Sequence, residues 1–145
     1  MAFAKFLVPV GGGKVDEETV RLACTIAEAT KGKVFVIYVI EVARTLPLDA
    51  ELEADNKKAE ELLAKAEKTA ETIGCQVETE ILQARETGPA IVDEAIERGV
   101  DVIIMGLKYE KRFGDFDMGT VVPYILRNAP CRVLVWREQI GEGNS

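Results

Sequence analysis

The sequence predicts an α/β domain in which a parallel sheet of five strands is covered on both faces by four helices. Three observations carry this expectation. Five short apolar or alternating runs are spread along the chain, and each is followed by a stretch with helical periodicity or by the chain end. Glycines stand where those helical stretches stop. The 145 residues, 48 % hydrophobic and 30 % charged, suit one domain that buries about 70 % of its unfolded surface. A strand, helix, strand alternation implies right-handed crossovers that bury each helix on the sheet. One domain is expected over residues 1–140, with residues 141–145 as a flexible tail.

The first strand is Lys5 to Val10, closed by Gly11, Gly12 and Gly13. Val20, Ala23, Cys24 and Ala27 then recur at helical spacing, with Asp16, Glu17 and Glu18 in a first turn where the helix dipole favours acids, and Gly32 as the stop. Lys33 to Ile40 (KVFVIYVI) is rich in β-branched and aromatic residues and reads as the second strand. The segment from Asp49 to Ile73 puts Leu52, Ala59, Leu62, Leu63, Ala66, Ala70 and Ile73 on one stripe, and Gly74 ends it. In Gln76 to Leu82, Val77, Thr79 and Ile81 alternate with Glu78 and Glu80, as expected of a strand with one wet face near a sheet edge. Thr87 is the expected N-cap of a helix through Arg98, with Pro89 in its first turn, Ile91, Val92, Ala95 and Ile96 facing inward, and Gly99 as the stop. Val102 to Met105 is the most apolar strand. A polar loop, a helix from about Gly119 to Asn128 and a strand from Cys131 to Trp136 complete the chain.

Composition excludes several function classes. A net charge of -7 opposes general binding to nucleic acid or to anionic membrane, both of which are held by excess Lys and Arg. No apolar run approaches the ~18 residues of a membrane span, and the amino terminus carries no visible export signal. A cytoplasmic protein is expected. Cys24, Cys75 and Cys131 are odd in number and widely spaced, so they read as reduced, mostly buried thiols and not as a metal site. There is no histidine, no Ser-x-x-Lys and no metal-ligand cluster, so no catalytic residue is assigned and the chain is not expected to be an enzyme.

The candidate site lies beyond the carboxyl ends of the first and fourth strands, where the Gly11 and Gly106 loops should meet. Glycines there can expose main-chain amides to a phosphate. Pro123 has no amide hydrogen and must stand in a first turn, which places the helix start near Gly119 and Thr120 and creates an anion-binding helix end. Lys108, Lys111 and Arg112 concentrate positive charge in the intervening loop, against Glu110, Asp115 and Asp117.

Val102 to Val135, together with LVPVGGG near the start and VIYVI in the second strand, resembles the universal stress protein family over essentially the whole chain. The resemblance implies a doubly wound sheet of strand order 3-2-1-4-5. Many members of that family are dimers, and here the apolar last strand, Arg132 to Trp136, is the edge expected to pair across a two-fold axis; some members bind ATP by Gly-x-x-Gly, nine residues, then Gly-Ser or Gly-Thr. In this chain Gly106 matches the first glycine, Tyr109 replaces the second, and Gly119-Thr120 matches the last pair. Gly11 stands where ATP-binding members carry an aspartate, and Val39 stands where the main chain faces adenine. The Tyr109 ring is expected to fill the space of a phosphate, or else to swing away and stack on a base. Gly114 is a candidate to replace the missing glycine. The candidate nucleotide-binding set is Pro9, Gly11, Val39, Met105, Gly106, Lys108, Gly119, Thr120 and Val121, for ATP or a related adenine nucleotide without a metal site. A family member that has lost the ligand and acts as a dimeric interaction protein is the alternative.

Overall fold

The computed structural model describes residues 5–141. In chain order the elements are β1 (Lys5–Pro9), α1 (Val15–Thr30), β2 (Lys33–Glu41), α2 (Glu53–Thr72), β3 (Val77–Ala84), α3 (Thr87–Arg98), β4 (Val102–Leu107), β5 (Glu110–Arg112), β6 (Asp115–Asp117), α4 (Val121–Asn128) and β7 (Arg132–Arg137). The five long strands form one parallel sheet of order β3-β2-β1-β4-β7. This is the expected 3-2-1-4-5 arrangement once the hairpin strands β5 and β6 are set aside. Of the expected tail, residues 142–145 lie outside the described residues.

Apolar residues of the inner strands point alternately to the two faces and build two cores. Phe6, Val8, Val34, Val36 and Ile104 pack with Val20, Ala23 and Cys24 of α1 and Leu63 and Ala66 of α2. Leu7, Phe35, Ile37, Ile103 and Met105 pack with Ile91 and Val92 of α3 and Val122 and Ile125 of α4. Both faces of the sheet are therefore sealed, which is why these strands read as continuous apolar runs. β3 lies at one edge with Glu78 and Glu80 exposed, as its alternation predicts.

Several local expectations are corrected. The segment expected to be a plain polar loop contains an antiparallel hairpin, β5 and β6, joined by Phe113 and Gly114. Both turn residues have positive φ (54° and 85°), so Gly114 builds a hairpin turn and does not replace the missing glycine. α1 ends on left-handed Lys31 (φ 56°), not on Gly32, whose amide donates instead to the Ala27 carbonyl. Thr87 is the first helical residue and not the cap. Its amide and hydroxyl both donate to Glu41 at the end of β2, at 3.0 and 2.8 Å. Ile96 is 59 % exposed, while Glu94 is buried and held by Arg98 at 2.8 Å. Arg98 lies over the Phe35 ring and also pairs with Glu80, so its flat guanidinium covers apolar surface while neutralising two acids. Cys24 is buried as expected, but Cys75 and Cys131 are only half-buried.

Candidate functional site

β1 and β4 are neighbours in the sheet, so the loops that follow them meet at its carboxyl edge. A cavity of about 350 Å³ opens there. Eight of the nine candidate residues line it: Pro9, Gly11, Met105, Gly106, Lys108, Gly119, Thr120 and Val121. Its wall also includes Arg112 and Asp117 of the charged loop, and Thr87 and Ile91 of α3, which the sequence did not assign to the site. Val39 is not in the wall. The Ile37 carbonyl accepts from the Val10 amide at 2.9 Å. By the two-residue repeat of a parallel ladder, Val39 turns its main chain to the same side, beyond the last residue of β1.

The first glycine loop is not bare. The Asp16 carboxylate accepts from the Gly11 amide at 3.1 Å and from the Gly12 amide at 2.7 Å. An anion of the chain itself thus occupies the two donors expected to meet a ligand, and it does so from the first turn of α1, where the dipole adds to the attraction. Burial pushes the Asp16 carboxyl up from its ordinary value, while the two amide bonds and the Lys108 charge pull it down. The signal was in the sequence: an aspartate four and five residues after two glycines, at a helix start, can fold back onto their amides.

Gly106 serves packing as well as the cavity. A Cβ there would lie 2.5 Å from Val15 Cγ1, so the absent side chain lets α1 sit against β4. The Lys108 side chain crosses to the other loop, where its Cε lies 2.7 Å from a Cβ built on Gly13. One cation therefore spans from β4 to the β1 loop and acts on Asp16.

Tyr109 neither fills the cavity nor is poised to stack on a base. Its ring lies 5.1 Å from Phe116, nearly parallel at 10°, with the Arg137 guanidinium 5.0 Å from the Tyr109 centroid. Its amide donates to Glu138 at 2.8 Å, and the Glu138 amide donates to the Leu107 carbonyl. Glu138 is 8 % exposed, so the chain after β7 anchors Tyr109 on the far side of the hairpin. The substituted ring therefore leaves the cavity open.

α4 begins at Val121, slightly later than expected, because Gly119 is left-handed (φ 71°) and its amide donates to Asp117 at 3.0 Å. Thr120 stands at the cap position with no side-chain cap bond and lines the cavity beside Val121 and Val122, whose amides have no partner within the helix. Arg112 is drawn to Asp117 at 3.1 Å, while the Lys108 side chain reaches the β1 loop. Among the described residues no group of three or more His, Cys, Asp or Glu could hold a metal ion, and no helix is long and apolar enough to cross a membrane.

Comparison with known proteins agrees with this architecture. A universal stress protein of Methanocaldococcus jannaschii is 30 % identical over 139 residues, covering 92 % of this chain and 81 % of that protein. The universal stress protein of Archaeoglobus fulgidus, solved in complex with dAMP, superposes with a TM-score of 0.73 at 23 % identity, over 93 % of this chain and 98 % of the other. An Arabidopsis thaliana family member solved with AMP bound gives 0.68 at 16 % identity, over 98 % and 96 % of the two chains. The model of the universal stress protein family matches residues 2–137, and the chain belongs to that family.

Proposed function

We propose that the chain binds an adenine nucleotide, or another phosphate-bearing ligand, weakly in the crevice between β1 and β4, as a binding protein and not an enzyme. The observation that carries this is the gathering of Gly106, Lys108, Gly119, Thr120 and Val121 around one open cavity, with the start of α4 at its rim. A phosphate there would meet the orphan amides of α4, the Thr120 hydroxyl and the Lys108 ammonium. The relatives solved with dAMP and AMP support an adenine nucleotide as the ligand. Asp16 keeps the binding weak: its carboxylate already holds the Gly11 and Gly12 amides and repels a phosphate approaching that loop. The proposed place of action is the cytoplasm, in keeping with three free thiols.

The test is adenine absorbance released on denaturing the purified protein, followed by calorimetric titration with ATP. Binding in the micromolar to millimolar range is expected. Absence of both released adenine and titration heat overturns the reading.

A second reading, a dimeric interaction protein without nucleotide, draws on the exposed face of β7. Leu134 and Trp136 are 38 % and 41 % exposed on an edge strand, and an apolar edge of this kind favours strand addition by a second copy. A homodimer through Arg132 to Trp136 is proposed under either reading; only the titration separates them.

A further inference from the structure

At the opposite edge of the sheet from the nucleotide crevice, two of the three thiols come together. Cys24 lies in α1, and Cys75 follows the end of α2, immediately before β3. They are fifty-one positions apart, yet Cys75 packs against the core cluster that contains Cys24. Both line a crevice of about 930 Å³ between α1, α2 and the starts of β2 and β3. Cys75 sits close enough to Cys24 to help push its thiol up, while the Cys75 thiol itself donates to the Gln76 carbonyl at 3.8 Å. Cys75 is fixed in place by its amide, which donates to the Ala70 carbonyl at 2.9 Å. Cys131 lies on the other face, packed against the α3 and α4 core.

We propose that Cys24 and Cys75 are a dithiol modification site, oxidised by hydroperoxides to an intramolecular disulfide that ties α1 to the α2–β3 junction. Cys75 is the attacking thiol. It is partly exposed in the crevice, whereas Cys24 is 1 % exposed, and burial together with the neighbouring Cys75 pushes the Cys24 thiol up, keeping it protonated. The Cys75 thiolate attacks one peroxide oxygen. An S–O bond forms, the O–O bond breaks, and the departing oxygen leaves as water after taking a proton. The Cys24 sulfur then attacks the Cys75 sulfenic acid. An S–S bond forms, the S–O bond breaks, and hydroxide leaves as water with the Cys24 proton. Two thiols lose two electrons, and one hydrogen peroxide becomes two waters.

The experiment treats the full chain with hydrogen peroxide, blocks remaining thiols with iodoacetamide and maps the peptides by mass spectrometry. Expected is a Cys24–Cys75 linked peptide lighter by two hydrogens, reversed by dithiothreitol, with Cys131 alkylated. C131S should form the same link. C75S should protect Cys24 from oxidation by about tenfold or more, and C24S should stop at a Cys75 sulfenic acid that dimedone traps. Should C24S fail to fold, the peptide map of the unaltered chain and of C131S still decides. Oxidation of Cys131 ahead of Cys75, links only between chains, or thiols left intact at a peroxide dose that oxidises a free cysteine peptide would overturn the proposal.

Discussion

The Asp16 carboxylate lies 2.7 Å from the Gly12 amide, and its other oxygen holds the Gly11 amide. A negatively charged side chain thus stands where the glycine loop would otherwise offer its donors to a ligand. The Asp16→Asn variant removes the charge but keeps one acceptor. It is expected to bind ATP about three- to tenfold more tightly, the usual scale for removing one partly screened like charge. Calorimetric titration of both proteins at equal ionic strength checks this, and weaker binding by the variant would show that Asp16 supports the ligand.

The same residue sets a pH dependence. Because burial raises the folded-state pKa of Asp16 above its ordinary value of 3.8, the native state holds this proton where the unfolded chain has released it. Stability contributed through Asp16 is therefore greater on the acid side and falls as pH rises through the folded pKa, reaching a constant value above it. Asp16→Asn lacks this titration. The stability of the unaltered chain minus that of Asp16→Asn, from urea unfolding between pH 4 and 7 (roughly the window of a raised carboxyl), should fall as pH increases and then level off. A difference that grows with pH would mean that the amide bonds outweigh burial.

Gly106 and Val15 form a second closely fitted pair. Alanine at 106 would place a methyl 2.5 Å from Val15 Cγ1 and 2.9 Å from Cγ2, closer than such atoms can pack, so the buried Val15 side chain or α1 must shift. Gly106→Ala is expected to lower stability by about 1–3 kcal/mol, the cost of overpacking a core. Adding Val15→Ala should recover part of the loss, so the double variant is more stable than the two single changes predict by addition. Thermal or urea unfolding of the four proteins measures the coupling; simple additivity would mean that the two residues do not compete for space.

The sheet was legible in the sequence because the inner strands are runs of apolar residues sealed on two faces and the edge strand β3 alternates, and because the first three helices carry apolar stripes that end near a glycine. The site was legible in its main-chain geometry and much less so in its side chains. Spacing placed Gly106 and Gly119 at one rim, and the local spacing of Asp16 after Gly11 and Gly12 carried a signal that went unread, but no local pattern states that Glu138 holds the Tyr109 amide from twenty-nine residues away. That second contact is a long-range choice settled by tertiary packing. The hairpin escaped for a different reason: Glu110–Arg112 and Asp115–Asp117 are short and largely charged, without the alternation that marks a strand. Ile96 was misplaced: it is 59 % exposed, whereas Glu94, paired with Arg98, lies on the buried side of α3.

The outer face of β7 leads to a prediction about assembly. Val133 and Val135 pack toward α3 and α4, whereas Leu134 and Trp136 point to the opposite face, near the margin of the α1 and α2 layer, and stay partly open. Leu134→Asp puts a charge on this edge while leaving its register with Ile104 of β4 available. A shift from dimer to monomer on sizing chromatography is expected. Trp136 is the single tryptophan, so its emission should move to longer wavelength as the contact opens. An unchanged elution volume together with unchanged emission would place any dimer contact elsewhere.

The turn of the hairpin offers a stabilising change. Phe113 has φ of 54° and is fully exposed. It therefore bears the left-handed conformation without any burial of its ring to offset it. Asn tolerates that conformation far better than an aromatic residue, and Asn followed by glycine is the preferred pair in two-residue hairpins with both central φ values positive. Phe113→Asn is expected to raise stability by about 0.5–1 kcal/mol, the range for relieving one strained backbone position. It should also leave ATP affinity unchanged, because Phe113 does not line the cavity. Urea unfolding measures the first effect and calorimetry the second. A loss of stability would show that the exposed ring makes contacts that offset its strain, and a change in affinity would tie the hairpin tip to the crevice.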